Sequence, residues 1–205
     1  MITAEARAGS TRERLIGAAL DLFAAQGFRS TTVGQIEAAA GLQPRRGALY
    51  KHFGSKREVL EAVVSQHLES VREGVAWVLR MPPGDVRTEA ALLGRFALDE
   101  LVRERSVVDL LERDGDRIPE LRDLFRVRVC DVAYRAMADI LRRWVGDRGD
   151  PDADLDAQAV LLLGGLINVH RSDATFGGTP LDRTEADLLA AWADQCAGTV
   201  ETLRR

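Results

Sequence analysis

Cysteine, histidine, aromatic residues and long apolar runs are all scarce in this chain. Two cysteines in 205 residues give no disulfide framework. Cys130 and Cys196 both fall within apolar helical patterns and read as buried thiols rather than redox or metal groups. His52, His67 and His170 are the only histidines. No HExxH, Ser/His/Asp, paired-cysteine or phosphate-loop spacing accompanies them, so a protein that is not an enzyme and needs no metal or cofactor is expected. No apolar run approaches the length of a membrane span. The opening residues, MITAEARAGS, lack the apolar centre of a signal peptide, so a soluble cytoplasmic protein with a short disordered N-terminal arm is expected. Aromatics make up only 5% of the chain, which leaves the packing to Leu, Ala and Val. No strand-like alternation, repeat or low-complexity segment occurs.

What is present is helical periodicity, and the densest local signals lie between Ser30 and Glu58. Thr32 with Gln35 forms a capping box that starts a helix running to about Ala40. Gly41 is the expected stop, since it adopts the left-handed conformation without strain. Pro44 suits the first turn of a second helix, to about Phe53, with Gly54 as its end. Ser55 and Glu58 form another capping box. Two helices around a short glycine turn are the helix-turn-helix pattern. Arg45, Arg46, Lys51 and His52 lie on or beside the second helix, and Lys56 and Arg57 follow it. Leu49 and Phe53, four apart, form its buried face, which leaves Tyr50 and Lys51 to point elsewhere.

Charge is divided unevenly. The net charge is −4 overall, but residues 1–58 carry nine Lys/Arg against five Asp/Glu, a net of +4, and the remainder carries −8. A basic head on an acidic body fits phosphate binding confined to one end.

The rest of the chain reads as further helices. Ser10 and Glu13 cap a first helix bearing Leu15, Ala19, Leu22 and Phe23, ended by Gly27. A longer helix runs from Ser55 to about Leu79, and Met81-Pro82-Pro83-Gly84 breaks the chain. A helix over about Val86–Glu104 and a short one around Val107–Arg113 precede the turn Asp114-Gly115-Asp116. A long helix then extends from Pro119 to near Val145. The next, about Asp154–Ala174, includes Ala159 to Ile167, apolar nearly all round and expected to be buried on several sides. Gly164 and Gly165 within it suit the close approach of another backbone or a ligand. The last helix begins near Asp182 and Glu185. The expected fold is therefore all-α with about nine helices. Its domains are a three-helix head over residues 1–54 and a helical body over 55–205.

The pattern T-T-V-x-x-I-x-x-x-A-G-L over Thr31–Leu42, followed by G-A-L-Y-K-H-F-G-S-K-x-x-V-L over Gly47–Leu60, resembles the DNA-binding segment of the TetR family of transcriptional regulators. Two departures stand out. Glu37 occupies a place where the family usually has a small residue. The Gly41–Tyr50 interval, through Gln43-Pro44-Arg45-Arg46, is about two residues longer than the common spacing. The resemblance implies a homodimeric repressor on a palindromic double-stranded operator, released when a small-molecule effector binds the body. A DNA-binding regulator without such an effector, controlled by a protein partner or constitutive, is the alternative.

On that reading the DNA-contacting residues are Thr32, Gln43, Arg45, Arg46, Gly47, Tyr50, Lys51, His52 and Lys56. Tyr50, Lys51 and Lys56 would meet phosphates, and Arg45 or Arg46 would read guanine. Candidate effector contacts are the large or polar residues of otherwise aliphatic helices: Trp77, Phe96, Phe125, Tyr134, Asn168 and His170. The wide apolar faces of the last two helices independently suggest a four-helix dimer interface, through Leu162, Leu166, Leu188, Leu189, Trp192 and Cys196.

Overall fold

The computed structural model describes residues 10–80 and 84–205, the side chains at 67, 117, 121 and 148 excepted. The expected N-terminal arm, the break at Met81-Pro82-Pro83 and the side chains of His67 and Leu121 lie outside the described residues.

Among the described residues all regular structure is helical: α1 (Thr11–Gln26), α2 (Val33–Ala39), α3 (Lys56–Arg80), α4 (Val86–Asp114), α5 (Pro119–Phe125), α6 (Asp131–Val145), α7 (Leu155–Phe176) and α8 (Glu185–Leu203). A π turn, Arg126–Cys130, joins α5 to α6, so the long helix expected from Pro119 to Val145 is present with one wide turn in it. That leaves seven helical rods. The expected count was about nine, and two local differences account for the gap. The stretch expected as two helices over 86–113 is one uninterrupted α4, because Arg105-Ser106 contains neither glycine nor proline to stop the hydrogen-bond ladder. The helix expected over 44–53 is replaced by a bent segment and a single 3-10 turn, Leu49–Lys51.

The caps follow the sequence closely. Ser10 and Glu13, Thr32 and Gln35, and Thr184 and Asp187 each form reciprocal capping boxes. Asp154 caps α7 by accepting from the Ala157 N–H at 2.9 Å. At the start of α3 the box is skewed. Ser55 Oγ accepts from Glu58 N–H, but the Glu58 carboxylate turns back to the Gly54 N–H at 2.7 Å.

The chain forms two compact units. The first extends to Glu69 and takes in Glu104–Arg126. It holds α1, α2, the 3-10 turn, the opening turns of α3, the closing turns of α4, and α5. Its buried side chains include Leu15, Ile16, Phe23, Ile36, Leu49, Leu60 and Leu110. Arg113 and Asp114, at the end of α4, close the exit from α1. The Arg113 guanidinium donates to the carbonyls of Phe23 at 2.6 Å and Ala24 at 2.7 Å, and Asp114 accepts from the Phe28 N–H at 2.9 Å. The carbonyls lie in the last turn of α1, where a helix end leaves C=O groups without intrahelical partners.

The second unit comprises Ser70–Arg103 and Val127–Arg205. Its core gathers Val78, Leu93, Met137, Ile140, Leu141, Trp144, Leu162, Leu166, Leu189, Trp192 and Cys196. Phe96 lies hard against Gly74, where a Cβ would come within 1.9 Å of its ring. Glu89 and Glu100 are buried carboxylates of this unit, and Glu89 sits beside the core. Its carboxylate accepts from Trp144 Nε1 at 2.9 Å and pairs with Arg143, whose guanidinium also donates to the Val78 carbonyl at 3.1 Å. Burial of a charge is tolerable only where partners of this kind replace water.

Removing one member of that pair strands the other. Glu89→Ala is expected to lower unfolding free energy by about 3 kcal/mol. Arg142→Ala, which removes only exposed pairs to Asp139 and Asp156, should cost under about 1 kcal/mol. Urea unfolding of both variants provides the comparison, and equal losses would show that the Glu89 network is not special.

Candidate nucleic-acid interface

The segment from Thr31 to Lys56 is built from the inside outward. Thr31 is buried, with Oγ donating to the Gly27 carbonyl at 2.8 Å and accepting from Gln26 Nε2 at 3.2 Å. The Thr32–Gln35 box opens α2, and Gly41 closes it at φ +72°. Along α2, Val33, Ile36, Glu37 and Ala40 fall on the stripe at i, i+3, i+4 and i+7. Ile36 is buried, and so is Glu37, which is 0% exposed.

Glu37 explains why the expected second helix is absent. One carboxylate oxygen accepts from the Arg45 N–H at 2.7 Å and the other from the Leu49 N–H at 3.0 Å. Between them the backbone turns through positive φ at Arg45 (+64°) and Gly47 (+70°), which an α-helix does not permit. Only after Gly47 does the chain tighten into the 3-10 turn, with Leu49 buried beneath it. Gln43, Arg45, Arg46, Tyr50, Lys51 and His52 are exposed around this bend, and Tyr50 is 59% exposed. Gly47 is half-buried. Among the described residues no ion pair engages Arg45, Arg46 or Lys51, so their charge faces solvent.

Lys56 differs from its expected place at a phosphate. Its ammonium donates to the carbonyls of Phe28 at 2.5 Å and Thr31 at 2.7 Å, and stands 4.4 Å from the centre of the Phe28 ring. Burial holds its pKa below the usual lysine value. It serves the turn between α1 and α2.

The residues selected for the body fall differently. Trp77 is 54% exposed on α3, Asn168 is exposed on α7, and Phe96, Tyr134 and His170 are half-buried. The Tyr134 phenol is raised above its ordinary pKa, by burial first and by Cys130 second. Phe125 is buried in the first unit, whereas the other five belong to the second.

Leu162, Leu166, Leu189, Trp192 and Cys196, expected between two copies, lie in the core of a single chain. Trp192 Nε1 donates to the Leu162 carbonyl at 2.9 Å, and burial pushes the Cys196 thiol up to about 12. Leu188 is half-buried. The run from Ala159 to Ile167 is not buried all round either. Val160 is exposed and Leu161 is 69% exposed, and added Cβ atoms at Gly164 and Gly165 would meet open space. The apolar stripe of α7 is therefore two stripes, one inward and one outward. Sequence periodicity cannot rank them, since both are aliphatic. An open groove of about 480 Å³ lies beside α7 and α8, lined by Gln158, Gln195, Gly198, Thr199, Thr202 and Leu203. None of the expected body residues lines it. Glu37 was the residue that sequence reasoning left without a role. The signal was there, as a carboxylate at a core position of an amphipathic helix.

Comparison with known proteins agrees with this architecture. The profile of bacterial regulatory proteins, tetR family, matches residues 15–63, which include the whole Thr31–Lys56 segment. Over 166 residues the chain is 41% identical to the HTH-type transcriptional regulator AcrR of Shigella flexneri, covering 78% of this chain and 76% of that protein. The chain belongs to the TetR family. It is also 50% identical over 60 residues to the HTH-type transcriptional regulator SrpR of Pseudomonas putida, a match covering 29% of this chain but only 27% of SrpR's own length. A TetR-family transcriptional regulator from Streptomyces coelicolor shares the fold, with a TM-score of 0.67 at 18% identity over 95% of this chain and 96% of that one. No helix among the described residues is long and apolar enough to cross a membrane.

The internal use of Lys56 has a measurable consequence. Lys56→Met leaves the carbonyls of Phe28 and Thr31 without their donor, and should destabilise the fold by about 1–3 kcal/mol. Thermal unfolding reads it, and an unchanged midpoint would mean the ammonium contributes nothing there.

Proposed function

We propose that this TetR-family chain is a sequence-specific DNA-binding transcriptional regulator, a repressor that leaves a palindromic operator when a small-molecule effector binds. The observation that carries the reading is the exposed, unpaired basic bend of Arg45, Arg46 and Lys51 directly after a capped α2 and a glycine turn. Phosphates would be met by Lys51, Tyr50 and the Thr32 end of α2, and base edges by Arg45 or Arg46. Gln43, Gly47 and His52 flank these contacts. Residues 1–54 would be the DNA-binding head and residues 55–205 the effector and dimerisation body.

A palindromic operator calls for two heads about 34–36 Å apart, hence a homodimer. Its interface is better assigned to the outward stripe of α7, Val160, Leu161 and Gly165, together with Gly198 of α8. The exposed apolar residues and open glycines there support close packing of a second copy. For the effector, Trp77, Phe96, Tyr134, Asn168 and His170 supply aromatic surface with a few polar groups. Helix α3 begins in the first unit and ends in the second without a break. A ligand that displaces its last turns therefore acts on its first turns through an unbroken hydrogen-bond ladder. A hundredfold loss of operator affinity needs only about 2.7 kcal/mol of preference for the released state.

Duplexes selected by the chain from a random pool provide the operator for the test. Lys51→Ala should weaken selected and unselected duplexes alike and reduce the salt slope of binding by about one unit. A slope equal to wild type would remove Lys51 from the interface. Leu161→Glu should sediment as a folded monomer with reduced affinity for a two-half-site duplex. A native dimer would place the interface elsewhere.

A further inference from the structure

We infer that Glu37 is a specificity-determining positioning residue: its buried carboxylate sets the shape of the Arg45–Leu49 bend and so aims the side chains that read DNA. This inference rests on the DNA-binding reading above and adds to it the reason why one chain can carry a longer turn and still present a defined surface.

Four observations converge. Glu37 is fully buried, where an ionised carboxylate persists only with donors at both oxygens. Those donors are two backbone N–H groups four residues apart, Arg45 at 2.7 Å and Leu49 at 3.0 Å. The backbone they bracket takes positive φ at Arg45, a non-glycine residue, and at Gly47. Backbone of that kind persists only where its surroundings hold it. The side chains inside the bracket, Arg45 and Arg46, are exposed. Glu37 thus does from behind what a helix's own ladder would do for a regular recognition helix. The acidic residue on the inner stripe of α2 and the lengthened Gly41–Tyr50 interval are one device, since the extra backbone creates the unpaired N–H groups that the carboxylate takes up. Glutamine cannot replace it. A carboxylate accepts at both oxygens, whereas a side-chain amide accepts at one end and turns donors toward an N–H at the other.

The test uses the full chain and duplexes selected from a random pool by the wild type, with an unselected duplex of equal length as reference. In the wild type free of DNA, the Arg45 and Leu49 amides should exchange slowly by NMR. Glu37→Gln should speed exchange at one or both at least tenfold. It should weaken the selected duplex at least tenfold, leave the unselected duplex within twofold, and keep the salt slope of wild type. A merely structural role would lower both affinities together with the melting temperature. The inference is overturned if Glu37→Gln binds both duplexes as wild type does, or loses both by the same factor. If the variant does not fold, the wild-type amides decide, and fast exchange at Arg45 and Leu49 without DNA overturns the inference. A wild type that enriches no sequence overturns the DNA reading itself, and the aiming role with it; slow exchange would then still show the clamp.

Discussion

A helix end leaves N–H or C=O groups that the helix itself cannot satisfy, and burying them unpaired is costly. The first unit contains several such ends. Charged side chains help to answer them. Arg113 takes the carbonyls at the end of α1, Asp114 and Lys56 take the N–H and C=O of Phe28, and Glu37 takes the N–H groups of Arg45 and Leu49. Each of these side chains is charged, and hydrogen bonds from charged groups are the stronger kind. Side chains that resemble surface charge in the sequence are therefore structural here. The charge at Arg45, Arg46 and Lys51 is left exposed.

The second unit solves a different problem. It has few aromatics, and its core is filled by aliphatic side chains from several helices around Trp144 and Trp192. Each indole N–H is satisfied inside, by Glu89 and by the Leu162 carbonyl. Trp192 and Leu162 are thereby tied together across α7 and α8, which fixes the rotation of both helices. Once those faces are committed inward, Val160 and Leu161 have nowhere to go but out.

The legible parts of this chain are those where one residue type has one mechanical use. The capping boxes at Ser10 and Thr32, and the glycine stops at Gly27 and Gly41, fall where hydroxyl, acid or amide, and glycine chemistry demand. All-α character and the family pattern over Thr31–Leu60 are equally direct. Three things were not legible. The break expected between Glu104 and Val107 had neither glycine nor proline behind it, and α4 runs through it. The inward and outward stripes of α7 are both aliphatic, so periodicity gives two answers. Lys56 and Arg46 look alike as isolated cations, and only the position of free carbonyls separates the one that faces in from the one that faces out.

The bend after α2 shows how far such reasoning reaches. Pro44 and the apolar pair Leu49 and Phe53 argue for a helix, and local propensity alone would grant it. The helix is lost because a better set of hydrogen bonds exists. Within an α-helix the Leu49 N–H would bond to the Arg45 carbonyl, but here it goes to a buried carboxylate, a stronger acceptor. That exchange requires Arg45 and Gly47 to enter left-handed backbone, a cost that glycine avoids and arginine does not. The bond energy and the strain are both fixed before any partner arrives. A surface whose shape is already settled loses less entropy on binding than a flexible loop of the same length. On the inference drawn above, the irregular bend presents Arg45 and Arg46 in one shape, and the group that holds it lies on α2, at a fully buried residue.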